Sequence, residues 1–199
     1  MMTIITALSG QHINLTLPEA RAIRIRDIAH HLALLNRFCG ATELPYSVAQ
    51  HSVVVARITE QASDDPLLSL QALLHDAPEA YTGDITTPMQ MALGDARENF
   101  KQVENSVLLA IHAGLGVPLP NETAAGTIRY ADRRAFATEW RDMMRGQCPV
   151  DHGNPANFPV KPEPWHKAEE KFLKAYERLS MLAGIHPPKI RNLPTGIHK

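Results

Sequence analysis

The stretch Pro66-Leu-Leu-Ser-Leu-Gln-Ala-Leu-Leu-His-Asp-Ala-Pro-Glu79 decides how this chain is read. Pro66 fits the first turn of a helix, where its missing N–H is not needed. Leu67, Leu68, Leu70, Leu73 and Leu74 then make the segment apolar around much of its circumference. A helix of that kind belongs in the middle of a fold. Pro78 cannot donate to the carbonyl of residue 74 and its ring crowds it, so the helix is expected to kink or restart just after His75-Asp76. Glu79 and Asp84 follow within two turns. Four ionisable groups thus stand where the pattern predicts core, and burying them costs free energy unless they pair or hold a cation.

Around this centre the chain reads as further amphipathic helices separated by Pro and Gly. The pattern opened by Asp27, with Ile28, Leu32 and Leu35 on one stripe, runs to about Phe38 and stops at Gly40. Ser47 begins the next helix, with Gln50 as capping-box partner and a stripe of Val48, Ser52, Val55 and Ala56 beside His51. Later helices are expected over about residues 97–113, closed by Gly114, and over 123–145 and 165–183. Residues 4–17 alternate around a glycine turn and predict a short β-hairpin. The expected fold class is therefore all-α, a helical bundle with an N-terminal hairpin. One domain is expected over residues 1–185, followed by an extended or disordered tail over 186–199. The long Pro- and Gly-rich loop over residues 146–164 is expected to border a pocket, as a lid or an interface.

A chain of 199 residues can bury a core without disulfide staples. Its 20 Lys plus Arg balance 21 Asp plus Glu, so no global field draws in a polyanion and no nucleic-acid partner is expected. No run of about 18 apolar residues exists to span a membrane. Cys39 and Cys148 form no CxxC pair and residues 1–10 lack a leader pattern, which together predict a cytoplasmic protein with reduced thiols. An anionic substrate would have to meet a local cation or a metal.

Two more candidate ligands lie on apolar faces: His51, and Asp132 between Ala131 and Ala135. Taken singly, His51 reads as a core histidine and Asp132 as a helix residue paired with Arg129 or Arg133. With His75 and Asp76 they make a set of two nitrogens and two oxygens, which suits Co, Mn, Zn or Fe at a catalytic site rather than a closed thiolate site. Arg37 is the basic residue in the second half of the Asp27 to Gly40 pattern and offers a planar fork to phosphate oxygens. Phe38 beside it reads either as core or as a ring that stacks on a base or sugar.

The order His51, His75-Asp76, Asp132 resembles the ligand signature of the HD-domain phosphohydrolases, an all-α superfamily. The segments Asp27-Ile-Ala-His30, Arg37-Phe38, Tyr46 to Ser52, Leu73 to Ala80 and Gly83 to Pro88 are similar to the bacterial 5′-deoxynucleotidase group and the phage dATP triphosphohydrolases. The resemblance implies one tightly held divalent metal on His51, His75, Asp76 and Asp132, with room for a second, weaker Mg arriving with the substrate. It implies that Arg37 contacts a substrate phosphate and that Glu79 and Asp84 do acid-base work. It also implies a small-molecule nucleotide substrate and a homo-oligomer. The chain departs from the pattern at Gln90, where many relatives carry a lysine; Lys101, Arg133 and Arg134 are the cations at hand to replace it.

Within that resemblance, removal of the 5′-phosphate from deoxynucleoside monophosphates competes with release of triphosphate from a deoxynucleoside triphosphate. Hydrolysis of guanosine tetraphosphate is disfavoured, because those enzymes have Glu-Asp where this chain has Glu79-Ala80. A helical nucleotide-binding protein without catalysis would be marked by a broken ligand, and all four ligand positions are intact.

Overall fold

Eight α-helices and one small antiparallel sheet build the described part of the chain, in a computed structural model that describes residues 3–148, 150 and 153–186. The elements are β1 (Ile4–Thr6), β2 (His12–Asn14), α1 (Ile25–Leu34), α2 (Val48–Ala62), α3 (Pro66–Leu73), α4 (Glu79–Thr82), α5 (Thr87–Ala92), α6 (Ala96–Leu115), α7 (Glu122–Met143) and α8 (Trp165–Leu182). Single 3-10 turns lie at Ala20–Ala22 and Arg37–Gly40. The fold class is the expected one, hairpin included: Ile4 pairs with Asn14, Ile5 with Ile13 and Thr6 with His12. The hairpin is pinned to α1 by the buried Asp27, which accepts from the Ser9 amide at 2.9 Å and the Ser9 hydroxyl at 2.6 Å.

The apolar helix α3 takes the central place its sequence demands. Leu70, Leu73 and Leu74 are fully buried, and α3 packs on α2, α7 and α8. One core cluster joins these leucines to Ile28 and Leu32 of α1, Ile111 of α6 and Phe172, Tyr176 and Leu179 of α8. A second gathers Val55 and Ile58 of α2, Ala131 and Ala135 of α7, and Phe158. α2 contributes to both clusters, so it is a wall shared between them, with His51 and Ser52 buried in it. Side-chain caps hold three helix starts: Ser47 accepts from the Gln50 amide, Asp65 from Leu67 and Asn121 from Ala124. Only half of the expected capping box forms, because the Gln50 side-chain oxygen accepts from the Glu163 amide instead of that of Ser47, while its NH2 donates to the Lys161 carbonyl.

Two expectations are corrected by the structure. First, α1 ends at Leu34, not near Phe38. Residues 35–37 leave the helix to pair with 46–48: Val48 donates to the Leu35 carbonyl, and Arg37 donates to that of Tyr46, each at 2.9 Å. Phe38 and Cys39 then turn left-handed at φ 55° and 51°. Such a backbone costs about 1–3 kcal/mol per residue unless its surroundings hold it. Second, Gly114 does not close α6; Gly116, at φ 68°, does. Gly114 serves close packing, since a Cβ there would sit 2.5 Å from the Ala20 carbonyl oxygen and 2.9 Å from the Ile23 Cβ. Residues 153–164, the described end of the long loop, are tied to α7. Ala156 donates to Thr138, Val160 to Asp142, and Arg141 donates to the Ala156 and Phe158 carbonyls. Ala156, Phe158 and Val160 are buried in the second core cluster. The short helix α5 carried no sequence stripe, and none of its residues is buried. The expected tail falls almost wholly outside the described residues.

Candidate active site

His51 sits on the second turn of α2 with no exposed surface. Its Nδ1 lies 2.6 Å from Glu139 Oε1. A carboxylate only accepts, so Nδ1 carries a proton, and Nε2 is the ring nitrogen left to face the cluster. That Nε2 is buried without a hydrogen-bond partner among the described residues, 3.2 Å from Asp132 Oδ1 and 3.4 Å from Asp76 Oδ2.

His75 repeats the arrangement from a different backbone. α3 unwinds after Leu73, and residues 74–78 pass through tight turns in which His75 donates to the Ala72 carbonyl, Ala77 to Leu74 and Glu79 to Asp76. The break comes a residue or two before the position expected from Pro78. His75 Nδ1 donates to the Ala72 carbonyl at 2.8 Å, which again frees Nε2. This second Nε2 is also buried without a hydrogen-bond partner, 3.2 Å from Asp76 Oδ2 and 3.9 Å from Asp132 Oδ1. One ligand atom each from His51, His75 and Asp132 falls within 4.8 Å of the others. The structure thus brings together all four expected metal ligands, from α2, the α3–α4 break and α7.

Burial pulls both imidazoles down, but facing carboxylates more than reverse this and hold them above their ordinary range. Burial likewise opposes ionisation of Asp76 and Asp132, yet the imidazoles hold both below the usual carboxylate range. Left alone, the cluster keeps protons on nitrogen and negative charge on oxygen. A cation that displaced those protons would meet neutral imidazoles and ionised carboxylates, the forms that bind metals. The residues present therefore fit a divalent metal.

Around the four lies a network that sequence reasoning missed. Glu139 has no exposed surface; besides His51 it accepts from the Tyr46 hydroxyl at 2.8 Å, and its Oε2 faces Arg37 Nε at 3.2 Å. Its carboxyl is opposed by burial but held below the usual range by His51 and Arg37. The available signal was position: Glu139 lies seven residues, about two turns, after Asp132, on the face that carries Ala131, Ala135 and Thr138. Arg37 is nearly buried, with its Nη1 3.7 Å from Asp76 Oδ2. Phe38 packs against Phe136 and Trp140, with ring centroids 5.7 and 6.2 Å away, and Arg37 lies over its ring at 5.3 Å. These contacts hold the left-handed turn and orient Arg37.

Glu79 opens α4 with a carboxylate oxygen, Oε2, buried without a partner among the described residues. Burial, then Asp76, then Asp84 push its pKa up to about 10. Asp84 follows Gly83, whose φ of 82° turns the chain back toward the cluster, and burial raises its pKa too. At the departure point, Gln90 donates to the Ile85 carbonyl at 2.9 Å. Lys101 and Arg133 are exposed, whereas Arg134 is spent on the Asn154 and Pro155 carbonyls. His112 is buried against the Val117 and Pro118 carbonyls, outside the metal-ligating group. A groove of about 380 Å³ lined by Leu34, Leu44, Pro162 and Trp165 contains none of the cluster. Among the described residues no helix is long and apolar enough to cross a membrane.

Residues 32–123 match the family described as 5′-deoxynucleotidase YfbR-like. The protein YfdR of Escherichia coli (strain K12) is 33% identical over 186 residues, covering 91% of this chain and 98% of that protein. The chain belongs to the YfbR-like family. A 5′-deoxynucleotidase of Pasteurella multocida (strain Pm70) is 22% identical over 153 residues, 63% of this chain and 76% of that one. A dATP triphosphohydrolase of Salmonella phage PMBT28 is 39% identical over 75 residues, 30% of this chain and 38% of that one. The family match runs from Leu32 past Glu79 and Asp84 and stops before α7 begins to supply Asp132 and Glu139.

Proposed function

We propose that this YfbR-like chain is a divalent-metal-dependent nucleotide phosphohydrolase of the HD type, acting on deoxynucleoside 5′-monophosphates. In this reading His51, His75, Asp76 and Asp132 hold the metal. The observation that carries it is the pair of buried imidazole Nε2 atoms, both without hydrogen-bond partners and both turned toward the same two carboxylates. Among Co, Mn, Zn and Fe the donor set makes no choice. A divalent cation there supplies positive charge against the phosphate and lowers the pKa of a water toward neutrality.

The chain's own residues divide the remaining work. Arg37, fixed by Glu139 and by the Phe38 ring, presents a permanent positive charge to a phosphate oxygen. Glu79 keeps a proton at neutral pH and sits one turn from Asp76, so it protonates the leaving oxygen. Asp84, less strongly raised, orients the attacking water. Phe38 offers its partly exposed ring to the sugar or base. A second, weaker Mg accompanies the substrate. Residues 1–185 act as one domain, the assembled form is a homo-oligomer, and the site of action is the cytoplasm, where the free thiols Cys39 and Cys148 stay reduced.

The Pasteurella relative supports a monophosphate substrate. So does Gln90, whose side chain is tied to its own turn where a triphosphate would want a cation. The phage relative favours a second reading, release of triphosphate from dATP, with exposed Lys101 or Arg133 supplying the charge. To separate the two, the purified chain is incubated with Co²⁺ or Mn²⁺ and equal dAMP and dATP, and the phosphorus products are followed by ³¹P NMR. Orthophosphate with dATP untouched is the expected result. Inorganic triphosphate would establish the second reading. Metal binding without any hydrolysis would leave a helical nucleotide-binding protein.

A further inference from the structure

We propose that Glu139 is a positioning residue that sets two working groups at once, the metal-ligating imidazole of His51 and the phosphate-contacting guanidinium of Arg37. The inference rests on the metal reading above and adds a residue to it. An isolated carboxylate with no exposed surface is costly to bury and persists only where donors surround it. Glu139 has two hydrogen-bond donors, both on Oε1, and one ion-pair partner, facing Oε2. Oε1 receives His51 Nδ1–H at 2.6 Å and the Tyr46 hydroxyl at 2.8 Å, while Oε2 faces Arg37 Nε at 3.2 Å.

Each contact has its own consequence. The bond to Nδ1 fixes the tautomer and the rotation of the His51 ring, so that Nε2 points at Asp76 and Asp132; partners of this kind also raise ligand basicity. The contact with Arg37 anchors one edge of a guanidinium whose backbone comes from the strained 37–40 turn. Because Glu139 and Asp132 lie two turns apart on one helix, α7 contributes both a ligand and the carboxylate that aims the ligand on α2. A purely structural carboxylate would need only to satisfy its donors. Here two of its three partners are side chains that must be aimed, His51 at the metal and Arg37 at the phosphate.

The test uses the full chain and two variants, Glu139→Gln and Glu139→Ala. Co²⁺ alone is titrated by calorimetry and by its visible absorption spectrum, and orthophosphate is measured as a competitive inhibitor of dAMP hydrolysis. Glutamine keeps an acceptor for His51 but no charge for Arg37. Alanine removes both. Glu139→Ala is expected to weaken Co²⁺ about 10- to 100-fold and alter its spectrum. Glu139→Gln is expected to keep most of the Co²⁺ affinity yet lose orthophosphate inhibition as fully as the alanine variant does. Native Co²⁺ and orthophosphate binding in Glu139→Ala would overturn the inference; should that variant fail to fold, native orthophosphate inhibition in Glu139→Gln would overturn it. Absence of Co²⁺ binding by the unaltered chain overturns the metal reading, and this inference with it.

Discussion

His51 and His75 present the same ring atom to the same two carboxylates from opposite kinds of backbone. His51 lies on an uninterrupted 15-residue helix, is fully buried, and is aimed by a side chain, Glu139. His75 lies where a helix has come apart, keeps 14% of its side-chain surface, and is aimed by a main-chain carbonyl, that of Ala72. Regular helices place groups at fixed intervals on one face, so α2 and α7 deliver only spaced residues: His51, Asp132 and Glu139. The break between α3 and α4 turns successive residues in different directions, and within ten positions it delivers His75, Asp76, Glu79 and Asp84 to one cluster. The first wall supplies ligands and the residue that aims one of them, whereas the second supplies ligands and acid-base groups together. Substitutions on each side should fail in different ways.

The largest effect belongs to Asp76, whose Oδ2 lies within 3.4 Å of both imidazoles and 3.7 Å of Arg37. Asp76→Ala removes the one carboxylate that faces all three. Activity and bound metal should both vanish while far-UV circular dichroism stays helical, because Asp76 contributes nothing to either apolar cluster. A variant that still hydrolysed nucleotides with metal bound would end the four-ligand assignment. Next comes Glu79→Gln, which keeps shape but cannot give up a proton. Turnover should fall about 100-fold or more, with metal content unchanged, which would separate Glu79 from the ligands His75 and Asp76 within the same broken segment. Loss of metal in this variant would instead make Glu79 a ligand and blur the contrast.

Much of this was legible before the fold was known, for a physical reason that differs between the walls. Helices longer than about three turns announce themselves through periodicity, so α2, α6, α7 and α8 were found, and His51 and Asp132 were visible as polar residues on apolar faces. The break was legible because Pro78 forbids a helical hydrogen bond whatever surrounds it. The end of α1 was not. Nothing between Leu34 and Gly40 interrupts the apolar stripe, and it is pairing with residues 46–48, remote in sequence, that pulls Arg37 out of the helix. Glu139 escaped for a related reason: a glutamate on a long helix reads as solvated until Tyr46, His51 and Arg37 are seen to converge on it.

The smallest effect tests whether the break is made by proline or by burial. Pro78→Ala restores an N–H that could bond to the Leu74 carbonyl and let α3 run into α4. One such bond contributes about 1 kcal/mol. Against it stand Leu74 and Ala77, both fully buried, and Tyr81, 5% exposed, which a continuous helix would rotate out of the first core cluster. Burying a single leucine side chain stabilises by about 1.5–3 kcal/mol, so burial should win. The variant is then expected to keep its metal, to lose at most about 1 kcal/mol through the freer unfolded chain, and to turn over only a fewfold more slowly. If metal affinity instead collapsed, the proline itself would be holding His75 and Asp76 apart from α3, and the second wall of the site would owe its shape to one missing proton.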